Sequence, residues 1–186
     1  MTDDNVVHDS VPRPTDGWTT RPETAADRAA VHKVNATAFP TAAEADLVDA
    51  LRLDEDAWLE GLSYVAEAPD GSVVAHALIT RCTVDGRPAA ALAPCAVRPE
   101  YQRTGAGSAV VRAVLDAART RGERLVLVLG HPEYYPRFGF TPASAYGIRP
   151  SFEVPDEAMM ALVLDSGGGS WQVPRGTISY PAPFGV

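Results

Sequence analysis

The spacing of apolar residues along this chain changes twice, and each change marks a different kind of element. In the first third, Ala30, Val31, Val34 and Ala38 recur at the three- and four-residue interval of a helix face. Thr24, followed three residues later by Asp27, reads as the N-cap and partner of that helix, and Pro40 stops it. Thr41 and Glu44 predict a second capping box, with Leu47, Ala50 and Leu51 as the buried stripe of the next helix. Before both, Trp18 to Arg21 reads as a short strand.

From Leu62 the pattern is that of strands. Leu62 to Ala68, Val73 to Val84 and Ala89 to Val97 are separated by Pro69-Asp70-Gly71 and Asp85-Gly86, both tight-turn sequences. Strands joined so closely imply an antiparallel meander. The helical period then returns over Ser108 to Arg121, with Val110, Val111, Val114, Leu115 and Ala118 on one side and Gly122 as C-cap. Arg124 to Leu129 is continuously apolar after its first residue, as expected of a strand buried on both faces. Strand 91–97, helix 108–121 and strand 124–129 thus predict a βαβ unit with two parallel strands. A short helix is expected at Pro132 to Phe138 and a strand start at Gly139-Phe140. Further strands are expected at Ala158 to Leu164 and Gln172 to Tyr180, around a flexible turn at Ser166 to Ser170. The expected fold class is α/β: a mixed, mostly antiparallel sheet flanked by helices.

Composition narrows the picture. With 186 residues, 46% apolar and 22% charged, the chain suits one globular domain over 18–186. Residues 1–17, rich in aspartate and proline, read as a disordered leader. The formal charge of −8, from 16 basic and 24 acidic side chains, comes without a basic cluster and argues against nucleic-acid binding. No apolar run approaches the ~20 residues needed to span a bilayer, and no signal-peptide segment is seen. Cys82 and Cys95 have neither metal-type nor disulfide-framework spacing, so no metal is expected and a reducing cytoplasm is the simplest fit.

The candidate chemistry lies at the junction of strand 89–97 and helix 108–121. A strand, a glycine-containing loop and a helix start together suit an anionic phosphate, because the first helical amides lack internal partners. A nucleotide-binding loop is disfavoured, since Gly107 is followed by Ser108 and Ala109 and not by a Walker lysine.

Two stretches carry a resemblance: Val97-x-Pro99-x-x-Gln102-x-x-Gly105-x-Gly107, and Tyr134-Tyr135-Pro136-Arg137-Phe138-Gly139-Phe140. Together they resemble the GNAT superfamily of acyl-CoA-dependent N-acetyltransferases, over about residues 18–140. The phrase Leu129 to Phe140 and the segment Phe152 to Met160 look like a bacterial subgroup of small members with unassigned substrates.

The resemblance implies acetyl-CoA as co-substrate. Cys95, Ala96 and Val97 would offer main-chain contacts to pantetheine. Gln102, Arg103, Thr104, Gly105, Ala106, Gly107 and Ser108 would hold the pyrophosphate. Tyr135, four residues before Gly139, would be the acid for the leaving thiolate, with Tyr134 out of step by one. Some family members place a glutamate on the strand before the loop; residues 89–97 contain no acid. The general base therefore stays open between His131, His76, Glu44, Glu67 and a water relay, with His131 preferred at the end of its buried strand. Cys95 is discounted as a covalent nucleophile, having no neighbouring His or Lys.

The expected activity is acetyl transfer to a primary amine, of a small molecule in preference to a protein, by direct attack in a ternary complex. Residues 141–186 would form the acceptor side. The alternative is a non-catalytic acyl-CoA sensor or partner-binding protein of the same fold. Family members often form homodimers, but nothing in this sequence marks an interface.

Overall fold

The computed structural model of the chain describes residues 17–164 and 171–186. The expected leader, apart from Gly17, and the expected turn at Ser166 to Ser170 lie outside the described residues.

The chain opens with β1 (Thr19–Pro22), then α1 (Arg28–Ala38) and α2 (Ala43–Arg52). The meander follows as β2 (Trp58–Glu67), β3 (Val73–Val84) and β4 (Arg87–Val97). Helix α3 (Ala106–Arg121) leads to β5 (Leu125–Leu129). The remainder adds β6 (Thr141–Pro142), β7 (Ile148–Arg149), β8 (Met159–Val163) and β9 (Gly176–Ser179). The sheet runs β1-β2-β3-β4-β5-β8-β6, with β9 on the far end of β3. It is antiparallel except where β4 meets β5 and β7 meets β9. The mixed, mostly antiparallel sheet read from the sequence is therefore the observed one, including the parallel βαβ pair.

Strand alternation sorts the core onto two faces. Ala77 and Ile79 of β3 pack with Val110, Val111 and Val114 of α3. Leu78, between them, packs with Val31 of α1 and Val48 of α2. Helices α1 and α2 thus cover the face opposite α3. In β5, Val126 and Val128 face α3, while Leu125 and Leu127 face the other cluster, as a doubly buried strand requires.

Some elements differ from expectation. The Thr24–Asp27 capping box forms, with Asp27 Oδ2 accepting from Thr24 N at 2.7 Å, but it heads a 3-10 turn, Ala25–Asp27, that leads into α1, whose own N-cap is Asp27. The Thr41–Glu44 box does not form. Thr41 Oγ1 only accepts from Ala43 N at 3.3 Å, and Glu44 Oε2 is buried without a hydrogen bond. Helix α3 starts two residues early, at Ala106, because Gly105 (φ 97°) takes the N-cap position in the left-handed region open to glycine. The expected helix at 132–138 shrinks to a 3-10 turn, Tyr135–Phe138, since Pro136 cannot donate within it. The strand expected from Gly139 begins at Thr141, and the last expected strand shortens to Gly176–Ser179.

Candidate active site

The site begins with a one-residue irregularity in β4. Opposite β3, Leu92 pairs with Ile79 but Cys95 pairs with Ala77, so Ala93 and Pro94 together face Leu78. An extra residue in a strand moves every later side chain to the other face. Ala90 and Leu92 face α3 before the bulge; Cys95 and Val97 do so after it. Pro94, which has no N–H to donate to a ladder, falls within this bulge.

The bulge coincides with a split in the sheet. β4 and β5 pair only through Ala90–Val126 and Ala91–Leu127. On its other edge β5 pairs β8 along its whole length, from Leu125 to Leu129, and Gly130 N then donates to Ala158 O at 2.9 Å. The second half of β4 thus lacks a β5 partner on that side, and a cleft of about 670 Å3 opens there. Its lining comprises Cys95 and Val97 of β4, the loop residues Gln102, Arg103, Gly105, Gly107 and Ser108, then His131, Tyr134, Tyr135 and Arg137, and finally Ala38 and Phe39 at the end of α1.

The loop is shaped to present amides. Arg103 (φ 62°) and Gly105 (φ 97°) both adopt left-handed conformations. The first intrahelical bond of α3 runs from Ala109 N to Gly105 O at 2.9 Å. The N–H groups of the turn before it are the unsatisfied donors of a helix start, which attract anions. The loop is braced from the residue before β1: Trp18 Nε1 donates to Thr104 O at 3.1 Å, and its ring meets Tyr101 edge-on at 5.9 Å.

Of the residues singled out in the sequence, Cys95, Val97, Gln102, Arg103, Gly105, Gly107, Ser108, His131 and Tyr135 line the cleft. Ala96 faces away, buried beside His76 of β3, and Ala106, the first residue of α3, is turned into the core. Thr104 turns its hydroxyl to Tyr101 O at 2.5 Å. Tyr135 is buried, with its ring at 5.1 Å from Tyr134 and 5.7 Å from Phe140. Burial, and then the nearby Cys95 and Tyr134, push its phenol above the ordinary tyrosine range, so it holds its proton at neutral pH. Tyr134 is less buried and brings its hydroxyl within 3.5 Å of Ser108 Oγ. Burial pushes the Cys95 thiol up to about 12, which suits a protonated lining group and not a nucleophile.

The candidate bases separate. His131 is exposed and lines the cleft. His76 is fully buried in a polar chain: Asn35 Nδ2 donates to His76 Nδ1 at 3.0 Å, and His76 Nε2 lies 2.9 Å from Ser63 Oγ, which in turn reaches Glu23. Glu67 is held by Arg21 at 2.7 Å on β2, and Glu44 is not part of the cleft lining. Sequence reasoning passed over Ala38, Phe39 and Arg137 as lining groups. Arg137 stacks on Tyr134 at 4.5 Å and donates to its carbonyl at 2.8 Å. Its place inside the Tyr-x-x-x-Gly-Phe stretch was the available signal; for Phe39 there was none.

Comparison with known proteins agrees with this geometry. Residues 28–140 match the profile described as "Acetyltransferase (GNAT) family". The Escherichia coli K12 protein named uncharacterized N-acetyltransferase YjhQ is 38% identical over 145 residues, covering 75% of this chain and 79% of its own. The crystal structure of Escherichia coli YhbS, a GNAT family N-acetyltransferase in complex with CoA, superposes with a TM-score of 0.80 at 26% identity, over 91% of this chain and 92% of that one. A GNAT family acetyltransferase from Brucella melitensis in complex with acetyl-CoA gives 0.72 at 28% identity, over 90% and 97%.

Proposed function

The chain belongs to the GNAT acetyltransferase family, and from that premise we propose that it transfers the acetyl group of acetyl-CoA to the primary amine of a small molecule within a ternary complex. The observation that carries this reading is the cleft where β4 and β5 part, with the first amides of α3 at one end and Tyr135 in its wall. The two similar structures solved with CoA or acetyl-CoA support it.

On this reading pantetheine lies along the free edge of Cys95 to Val97, and the amides of residues 103–108 take the pyrophosphate, with Arg103 and Arg137 adding positive charge. A neutral amine attacks the thioester carbonyl. The C–N bond forms, the C–S bond breaks, and the amine proton leaves to His131 or to water. The departing thiolate needs a proton. The burial that raises the Cys95 thiol disfavours any charged sulfur in this lining, so a thiolate released there would be readily protonated. A neutral, buried Tyr135 phenol is suited to meet it, and recovers its proton from solvent.

Residues 141–186 would complete the acceptor side. There a second cavity of about 680 Å3 is lined by Arg149, Phe152, Glu153, Asp156 and Met159, the last following Ala158, which accepts from Gly130 N next to His131; the two carboxylates outnumber the one cation. Carboxylates and an aromatic ring suit a cationic amine with an apolar body.

The test is acetyl-CoA-dependent thiol release over a panel of amines. At least one small amine is expected to support turnover. The Tyr135→Phe variant should lose about 100-fold or more in kcat, while its acetyl-CoA affinity stays unchanged and Tyr134→Phe loses less. Tight acetyl-CoA binding without turnover on any amine would contradict the proposal. Undiminished turnover in Tyr135→Phe would remove that residue's role.

A further inference from the structure

Phe39 stands out in the cleft. It is half-buried, yet it belongs to none of the three core clusters formed by the described residues. Its described place is instead the cleft wall, beside Ala38. An aromatic side chain that leaves the core to face a cavity is spending its apolar surface on whatever fills that cavity.

Its position is fixed by the chain around it. Phe39 ends α1 in an extended conformation (φ −117°, ψ 161°), and Pro40 restricts the residue before it to that region. One helical turn earlier, Asn35 is fully buried; its Nδ2 donates to Val31 O at 2.9 Å and to His76 Nδ1 at 3.0 Å on β3. The last turn of α1 is therefore pinned to the sheet, and the ring cannot retreat along with the helix.

Phe39 also stands on the opposite side of the sheet from the anion loop. Helix α1 packs on the Leu78 face, whereas α3 packs on the Ala77–Ile79 face. A ligand whose phosphates sit at residues 103–108 would thread the gap between β4 and β5 and present its thioester end toward the α1 face. There Phe39 is the bulky group.

We infer that Phe39 limits the acyl chain that the cleft accepts, selecting acetyl over longer acyl groups. This rests on the acyl-CoA reading above and adds to it the residue that sets donor specificity. On this geometry a longer chain runs into the ring, which the pinned end of α1 keeps from moving aside.

The experiment is calorimetric titration of CoA, acetyl-CoA, butyryl-CoA and hexanoyl-CoA, without acceptor, against wild type, Phe39→Ala and Phe39→Trp. Wild type should bind acetyl-CoA at least about tenfold more tightly than hexanoyl-CoA. Phe39→Ala should bring the two within about threefold. Phe39→Trp should weaken butyryl-CoA by a further tenfold or so, which keeps the inference testable if the alanine variant misfolds. Wild type that binds CoA but does not discriminate between chain lengths, or discrimination that survives Phe39→Ala, overturns the inference alone. Wild type that binds no CoA overturns the acyl-CoA reading together with it.

Discussion

Gly130 shows how closely single atoms are specified around the cleft. It follows the last residue of β5, and the ring of Tyr135 fills the space where a side chain would stand. A Cβ there would lie 2.3 Å from Tyr135 Cε2 and 2.9 Å from Cδ2. Gly130→Ala must therefore displace the ring or the strand end, at a cost of about 1–3 kcal/mol. The expected outcome is a lower melting temperature together with reduced turnover. Unchanged melting and turnover would mean that Tyr135 need not sit where it does. Tyr135 was singled out by the resemblance of its Tyr-x-x-x-Gly-Phe stretch to the family's, because a short motif keeps its members at fixed places in one turn. Phe39 was invisible by the same logic. It enters the cleft from a helix on the other face of the sheet, and no local pattern records that meeting.

At the scale of elements, α1 is tied to the sheet by a buried polar chain. Asn35 donates to His76 Nδ1, which leaves Nε2 carrying the proton toward Ser63, whose hydroxyl is directed to Glu23. Glu23 is also held by Arg52 of α2 at 2.6 Å. Histidine is neutral in this chain. Burial, and then the charge of Arg52, pull its pKa down from 6.5 to about 3. The unfolded chain therefore binds a proton more readily below pH 6.5. Stability from this group is complete above that pH and is lost as pH falls toward 3, by roughly 1.4 kcal/mol per pH unit within the window. Urea melts of wild type should show this decline between pH 6.5 and 5, before most carboxylates titrate. His76→Gln should start less stable but show a flatter profile there; an equal slope in both would rule out His76 as its source. The sequence alone left His76 between cleft and core, since a period-two strand does not say which face a partner helix will cover. The helices α1 and α3 and the meander were legible because their apolar periods are long and uninterrupted. The Thr41–Glu44 box does not form because α2 takes Ala42 as its N-cap and starts at Ala43, which puts Thr41 and Glu44 out of step with the cap and third positions.

For the molecule as a whole, function follows from one sheet that pairs along part of its length and parts along the rest. The parallel contact of β4 with β5 was readable as strand, helix, strand. Its end after Ala91, and the bulge at Ala93-Pro94 that turns Cys95 and Val97 toward α3, depend on tertiary pairing that the sequence only hinted at through Pro94. The charge distribution fits the same account. The chain carries a net charge of −8, yet Arg103 and Arg137 line the cleft, and no carboxylate is among its described lining residues. Such a site concentrates favourable potential where phosphates would lie. The central claim, acyl-CoA held by the loop at the start of α3, is tested most directly by calorimetric titration of acetyl-CoA into wild type and Gly105→Glu. Position 105 has φ 97° and opens α3, so a glutamate there disturbs the loop and sets a negative charge against the phosphates. Saturable one-to-one binding by wild type, with affinity at least about 100-fold weaker in a variant that still melts cooperatively, is the predicted result. A folded wild type that takes up no acetyl-CoA, or a variant that binds it equally well, would contradict the account.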